Sequence, residues 1–217
     1  MRKAWIAAVV ATFAGFGWMA GSVFPQDGGG DRSGPSPDKA PNAGVPAGDA
    51  GSPLDSAWVK RMTPGEAHAK LAALVGDWTV VVKFWAVANG QPLESKGKAK
   101  FRMVLGGRYL EQEFSGGFMG RDFEGRGFTG YDNETREYVS TWMDNMRTDI
   151  AHSRGTLDQE GKLSLARETS GAGGNGRLET EVMTPLGKDG FRVEYRVKEP
   201  GVAEAARVLE MTYSRDR

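Results

Sequence analysis

A chain of 217 residues allows one ordinary domain with appendages, and its 28 basic and 28 acidic side chains leave no formal net charge. That balance argues against a nucleic-acid partner, which would leave a basic surplus on one face. Cysteine is absent, which excludes disulfides, a lipid-modified cysteine and thiolate chemistry.

Met1-Arg2-Lys3 is a basic start, and residues 4–24 carry no charge. Two readings fit residues 1–24. One is a signal peptide cut near the small residues Ala20-Gly21-Ser22; the other is an uncleaved membrane anchor, for which about 20 apolar residues suffice. Both leave the positive charges inside and send the rest of the chain outward. The expectation is therefore an exported protein, periplasmic or extracellular, or anchored to the inner membrane and facing outward. The membrane would touch it only through this segment, if the segment is retained. Residues 25–57 open with "PQDGGGDRSGPSPDKAPNAGVPAGDAGSP", where apolar side chains are too sparse to offset the entropy of ordering. They read as a disordered Pro/Gly-rich linker, or as a pro-segment.

Order resumes at "TPGEAHAKLAALVGDW". Thr63 with Glu66 predicts a capping box with Pro64 at the first helical position. Leu71, Leu74 and Val75 form an apolar stripe, and Gly76 would end this short helix. His68 has no second histidine or cysteine nearby, so it reads as a surface or capping residue rather than a metal ligand. After Trp78 the periodicity switches to alternation and stays there. "GKAKFRMVL", "RYLEQEF", "FEGRGFTGY", "EYVSTWM", "KLSLARET", "FRVEYRVK" and "ARVLEMTYSR" are among about ten such runs. Short connections force antiparallel neighbours. A run of hairpins with one apolar face can close on itself and lose its exposed edges. The fold class is thus all-β, an antiparallel up-and-down barrel of about ten strands behind a short N-terminal capping helix, over residues 58–217. A two-sheet sandwich is the alternative.

Gly125-x-Gly127-x-x-Gly130 matches a dinucleotide fingerprint, but that motif works only where a helix follows and its amides hold the pyrophosphate. Here "YDNETR", a turn, and another strand follow, so the nucleotide reading fails. Strand parity gives another role. If Tyr131 pairs with Tyr138, Gly127 falls opposite Trp142, and the indole lies over bare backbone while the glycines let the strand bend. A one-residue shift would turn Trp142 to the other face.

Gly76-Asp77-Trp78, at the head of the first strand, resembles the G-x-W signature of lipocalins and their calycin relatives. That resemblance implies that Trp78 closes one barrel end and that Arg215, in "MTYSR", packs across it. More specifically, "MVLGGRYLEQEF", "FMGRDFEGRGFTGYDN" and "YVSTWMDNM" resemble a bacterial domain-of-unknown-function family, family 1579, over roughly residues 63–217. The resemblance implies a lipocalin-like barrel and no assigned activity. Some calycin relatives bind haem through a histidine; no such motif stands here, and His152 reads as a barrel-wall residue. No cofactor is expected.

No catalytic residue and no metal site stand out. A nucleophile elbow is missing, and two isolated histidines make no metal cluster. Glu111 and Glu113 share a face that reads as solvated. Polar residues on apolar faces are the better candidates for a site. Gln112 lies between Leu110 and Phe114, where a buried amide needs a partner or a ligand. Trp142, Asp144, Asn145 and Met146 reach a barrel rim, where Asp144 and Asn145 could equally stabilise a turn. A small apolar molecule bound non-catalytically inside the barrel is the leading expectation. The alternatives are a filled barrel acting as a cell-envelope interaction module and, behind it, a carboxylate-based enzyme.

Overall fold

The computed structural model describes residues 56–169 and 176–217. The leader or anchor expected at 1–24 lies outside the described residues. So do the linker up to residue 55 and most of the glycine cluster at 171–176.

Two short helices precede the sheet, α1 (Ser56–Met62) and α2 (Glu66–Ala72). The first was not foreseen, and it takes the last two residues assigned to the linker. It also displaces the predicted cap. The Thr63 hydroxyl donates back to the Val59 carbonyl at 2.7 Å, and Pro64 biases Thr63 toward extended backbone. Gly65 becomes the N-cap instead, and its N–H donates to His68 Nδ1 at 3.1 Å. The histidine therefore does cap the helix, buried rather than on the surface. Burial holds its pKa below the ordinary value, with Arg108 adding to the effect and a bond to the Tyr131 carbonyl opposing it; the neutral ring can then accept at Nδ1. The helix stops at Ala72, so Val75 is exposed and Gly76 opens the first strand rather than capping the helix.

Ten strands follow: β1 (Gly76–Phe84), β2 (Leu93–Val104), β3 (Tyr109–Phe118), β4 (Arg121–Asp132), β5 (Glu137–Asp144), β6 (Ala151–Leu157), β7 (Leu163–Thr169), β8 (Arg177–Pro185), β9 (Gly190–Lys198) and β10 (Ala206–Arg215). Each pairs antiparallel with its sequence neighbours, and β1 pairs with β10 from Trp78 opposite Arg215 to Phe84 opposite Leu209. The sheet is a closed barrel, not a sandwich, and closure leaves no edge strand. Tyr131 faces Tyr138 and Gly127 faces Trp142, the register read from the glycines.

Alternation assigns the faces. On β1, Trp78, Val80, Val82 and Phe84 are buried between half-exposed neighbours. Near Trp78 the barrel is sealed by an aromatic plug. Phe191 stacks on Tyr213 with centroids 4.2 Å apart, and Trp78 meets Phe191 edge-on at 4.9 Å and Phe101 at 6.4 Å. Helix α2 lies over this end. Leu71 enters the core, and the Tyr138 hydroxyl donates to the Ala67 carbonyl at 3.1 Å. Arg215 crosses the Trp78 ring at 4.2 Å and donates to the Val75 and Ala73 carbonyls at 2.6 and 2.9 Å. The Ala73 carbonyl, at the C-cap, is one that a terminating helix leaves over, and the Val75 carbonyl lies just beyond it. Trp78 Nε1 takes the Leu74 carbonyl at 2.9 Å. Gly76, at φ +138°, leaves room for the guanidinium, which a Cβ there would meet at 2.6 Å.

Candidate functional site

The opposite end is built differently. There the inward-facing Trp142, Glu181, Met183, Tyr195 and Leu209 are only half-buried, whereas Val80 and Trp78 are 0% and 2% exposed. Because these inward side chains stay accessible, this is the end at which the barrel interior, its lumen, meets solvent. Its two sides differ. Phe84, Phe118 and Phe123 form an aromatic cluster on β1, β3 and β4, with centroid spacings of 5.1 and 6.0 Å. Across from them, β5 to β8 present charges.

The expected site residues divide between these settings. Gln112 faces inward, and its Nε2 donates to the Tyr213 hydroxyl at 3.2 Å; Tyr213 in turn donates to Met211 Sδ at 3.6 Å. Burial, ahead of the influence of Glu181, raises the Tyr213 pKa, although the bond to Gln112 opposes the rise. Trp142 covers the backbone of Gly125 and Gly127; a Cβ on Gly127 would stand 2.7 Å from its ring, and one on Gly125 would overlap it. Its Nε1 donates to Asp144 Oδ2 at 3.1 Å. Asp144 also accepts from the Met146 amide at 2.9 Å and pairs with Arg147 at 3.5 Å. Asn145 is exposed, and its side chain clamps the end of β4 through the Glu124 amide and the Asp122 carbonyl, each at 3.1 Å. Gln112, Trp142 and Asp144 thus line the interior, while Asn145 and Met146 shape the turn at its rim.

Four residues that sequence reasoning did not single out complete the lumen: Arg167, Arg177, Glu179 and Glu181. Glu179 receives Arg167 at 2.5 Å and also Arg177. Burial pushes its carboxyl up, but the two guanidiniums outweigh that and hold it below the usual carboxylate range. Ion pairs continue from Arg167 to Asp149 at 4.0 Å, from Asp149 to Arg147 at 3.8 Å and from Arg177 to Glu199 at 3.9 Å. Glu181 lies deeper, between Leu165 and Tyr195 across the strands. Among the described residues it makes no ion pair, and the Tyr195 hydroxyl donates to it. Burial pushes its carboxyl up to about 7, against the opposing effects of Tyr195 and Arg167. The same burial, with the neighbouring carboxyl, raises Tyr195 well above its usual value. A parity signal for these residues exists in the sequence. Arg167 continues the inner face of Leu163 and Leu165, and Arg177, Glu179 and Glu181 share the face of Met183.

The outer wall offers less. A concavity of about 660 Å³ spans β1 to β5, lined by Asp77, Lys98, Lys100, Glu113, Glu124 and Arg126. Several of its charges are spent on neighbours, as Arg126 is on Glu113 at 2.5 Å and Lys98 on Asp216 at 3.3 Å. Glu111 and Glu113 belong to this outer wall, sharing Arg102 at 3.1 and 2.8 Å. His152 is exposed there too. Among the described residues no three His, Cys, Asp or Glu side chains gather as a metal site requires.

The motifs that carried the family resemblance fasten the closed end. Arg108 of "LGGRYL" donates to the Met62 carbonyl at 2.7 Å, and Tyr109 lies over Gly130. Asn133 of "GYDN" donates to the Lys60 and Thr63 carbonyls, both at 2.9 Å.

Among solved structures the chain is similar to an S-type phycobiliprotein lyase, CPES, from Guillardia theta. The two are 10% identical with a TM-score of 0.50, over 73% of this chain and 96% of that one. A redesigned beta barrel is 14% identical at a TM-score of 0.36, over 68% and 96% of the two chains. EF1p2_mFAP2b bound to DFHBI is 14% identical at 0.38, over 69% and 98%. No curated protein matches the chain. The first of these likenesses fixes a lipocalin-like barrel fold. Residues 63–215, from the threonine before α2 to the arginine that crosses Trp78, match the model of the family described as "Protein of unknown function (DUF1579)", and the chain belongs to that family.

Proposed function

We propose that this protein is an exported barrel that binds a small, mostly apolar molecule in its lumen without converting it. The observation that carries the reading is the difference in burial along the interior. The plugged end excludes solvent, while Trp142, Met183, Tyr195 and Leu209 point inward and remain accessible. Apolar surface left facing water at a barrel mouth is what a ligand would cover, and each Å² covered contributes about 25 cal/mol. The polar groups beside it, Gln112, Asp144 and Glu181, would fix orientation. Export rests on the uncharged run behind Met1-Arg2-Lys3. The likeness to the phycobiliprotein lyase is one of fold and brings no substrate with it.

Native mass spectrometry tests this on protein expressed with its own N-terminus and purified gently, set against the denatured mass. Extra mass released on denaturation is the expected result, and the denatured mass reads the fate of residues 1–24. A bare native mass that stays bare after incubation with a lipid and metabolite extract overturns the reading.

One observation favours a second reading, an interaction module. Exposed aliphatic side chains ring the open end: Val87, Leu93, Met119, Ile150, Leu178 and Val202. They lie in or beside the connections from β1 to β2, β3 to β4, β5 to β6, β7 to β8 and β9 to β10. A bare native mass would turn attention to this rim as a protein contact.

A further inference from the structure

We infer that the lumen selects apolar molecules that carry a protonated amine, and that Glu181 receives the cation. This rests on the lumen-binding reading and names the ligand class for it.

Arg147, Arg167 and Arg177 are each held by carboxylates, those of Asp144, Asp149, Glu179 and Glu199. An anionic ligand would have to break one of these pairs to find a guanidinium. Among the described residues Glu181 has no ion pair and one neutral donor, the Tyr195 hydroxyl, whereas a carboxylate offers about four acceptor positions. Its cross-strand neighbours are otherwise apolar. Leu165 lies on one side, and Tyr195, Leu209 and Phe84 follow in one row on the other. In such a recess, lined by low-polarity side chains, a charge pair is stronger than at the surface. The ion-pair network itself has three guanidiniums and four carboxylates, a surplus of one negative charge on this side of the interior. An alkyl or aromatic body would rest against Leu209, Met183 and the Phe84 cluster, with its ammonium at Glu181. Tyr195 positions the carboxylate and leaves the remaining lone pairs to the ligand.

The titratable and charged groups facing Glu181 are Arg167 from β7, Glu179 on its own strand, Tyr195 from β9 and Tyr213 from β10. Arg167, the one cation among them, is neutralised by Glu179. With the Glu181 carboxyl near 7 in the empty protein, a bound ammonium draws it into the ionised form. Amine affinity should therefore rise as pH increases through neutrality, while alkylamines stay protonated up to about pH 10.

The experiment compares decylamine, decan-1-ol and decanoate on the full chain by titration calorimetry, each kept below its aggregation limit. At about pH 8 the amine should bind roughly tenfold more tightly than either other probe. It should lose much of that lead at about pH 6, while the alcohol is unmoved. Glu181→Gln, which keeps the Tyr195 hydrogen bond, should bring the amine level with the alcohol. Equal binding of amine and alcohol by the unmodified protein overturns the inference and leaves lumen binding standing. Binding of none of the three overturns the inference too, and the lumen reading then stands or falls on the native mass. The comparison among probes and its pH dependence need no variant, so a Glu181→Gln protein that fails to fold does not remove the test.

Discussion

At the closed end of the barrel the polar groups of the plug and the latch are answered by the protein itself. The Trp78 indole has the Leu74 carbonyl, and Arg215 has two carbonyls and a ring. At the open end one carboxyl, Glu181, sits between Leu165 and Tyr195 with no ion pair among the described residues. Both ends use aromatic rings and arginines, so composition does not separate them. What differs is completion. The closed end has its α2 lid and its latch, whereas the open end has accessible side chains and a group whose ionisation is unfavourable. The proposed binding at the second end rests on this contrast between a stable end and an unfinished one.

That contrast can be broken first at Trp78. Trp78→Ala removes the centre of the plug, and the expected loss is about 3–5 kcal/mol in urea unfolding, the range for a buried aromatic. A loss small enough to look like a surface substitution would mean that the plug does not hold the closed end. Next comes Gly125→Ala, whose Cβ overlaps the Trp142 ring. Moving the indole away from Asp144 should cost about 1–3 kcal/mol and alter the near-ultraviolet dichroism. An unchanged spectrum with full stability would show that the indole has room to spare.

The smallest expected effect has the opposite sign. The Glu181 carboxyl is raised to about 7 from an ordinary 4.5. The folded protein therefore keeps a proton that the unfolded chain releases across that window, and stability falls as pH rises through it. Glu181→Gln removes the penalty. It should stabilise the empty protein by about 1–2 kcal/mol at about pH 8 and leave it nearly unchanged at about pH 4, below the unfolded value. Destabilisation at both pH values would place Glu181 with the finished end rather than the unfinished one.

Much of the closed end was legible in the sequence because its signals are local. Gly76, Asp77 and Trp78 are consecutive, and Arg215 terminates a strand of clear alternation. The pairing of Tyr131 with Tyr138, and with it the place of Trp142 over Gly127, followed from parity on either side of one turn. The open-end charges were harder to see. In "RLETEVM" one parity holds Arg177, Glu179, Glu181 and Met183 and the other holds Leu178, Thr180 and Val182, so hydropathy alone favours the wrong face as the interior. Only pairing to β7 and β9 places Arg167 and Tyr195 beside the carboxylates and makes the charged face tolerable inside. Helix α1 was missed for a related reason. It is held from outside itself, by Arg108 and Asn133, whose contacts with it span 46 and 73 residues.

The latch also governs how the molecule must assemble. Arg215 reaches the Val75 carbonyl across 140 residues, and β1 pairs with no strand but β2 until β10 arrives. Every other seam of the barrel is a hairpin that can zip locally, but this one cannot close until nearly the whole domain exists. Its closure carries the largest loop entropy in the fold and sets a high contact order, which slows folding. Until then β1 carries an unpaired edge of Val80, Val81 and Val82, β-branched residues suited to pairing with another chain. The cell's exposure to that edge lasts as long as the wait for the last strand.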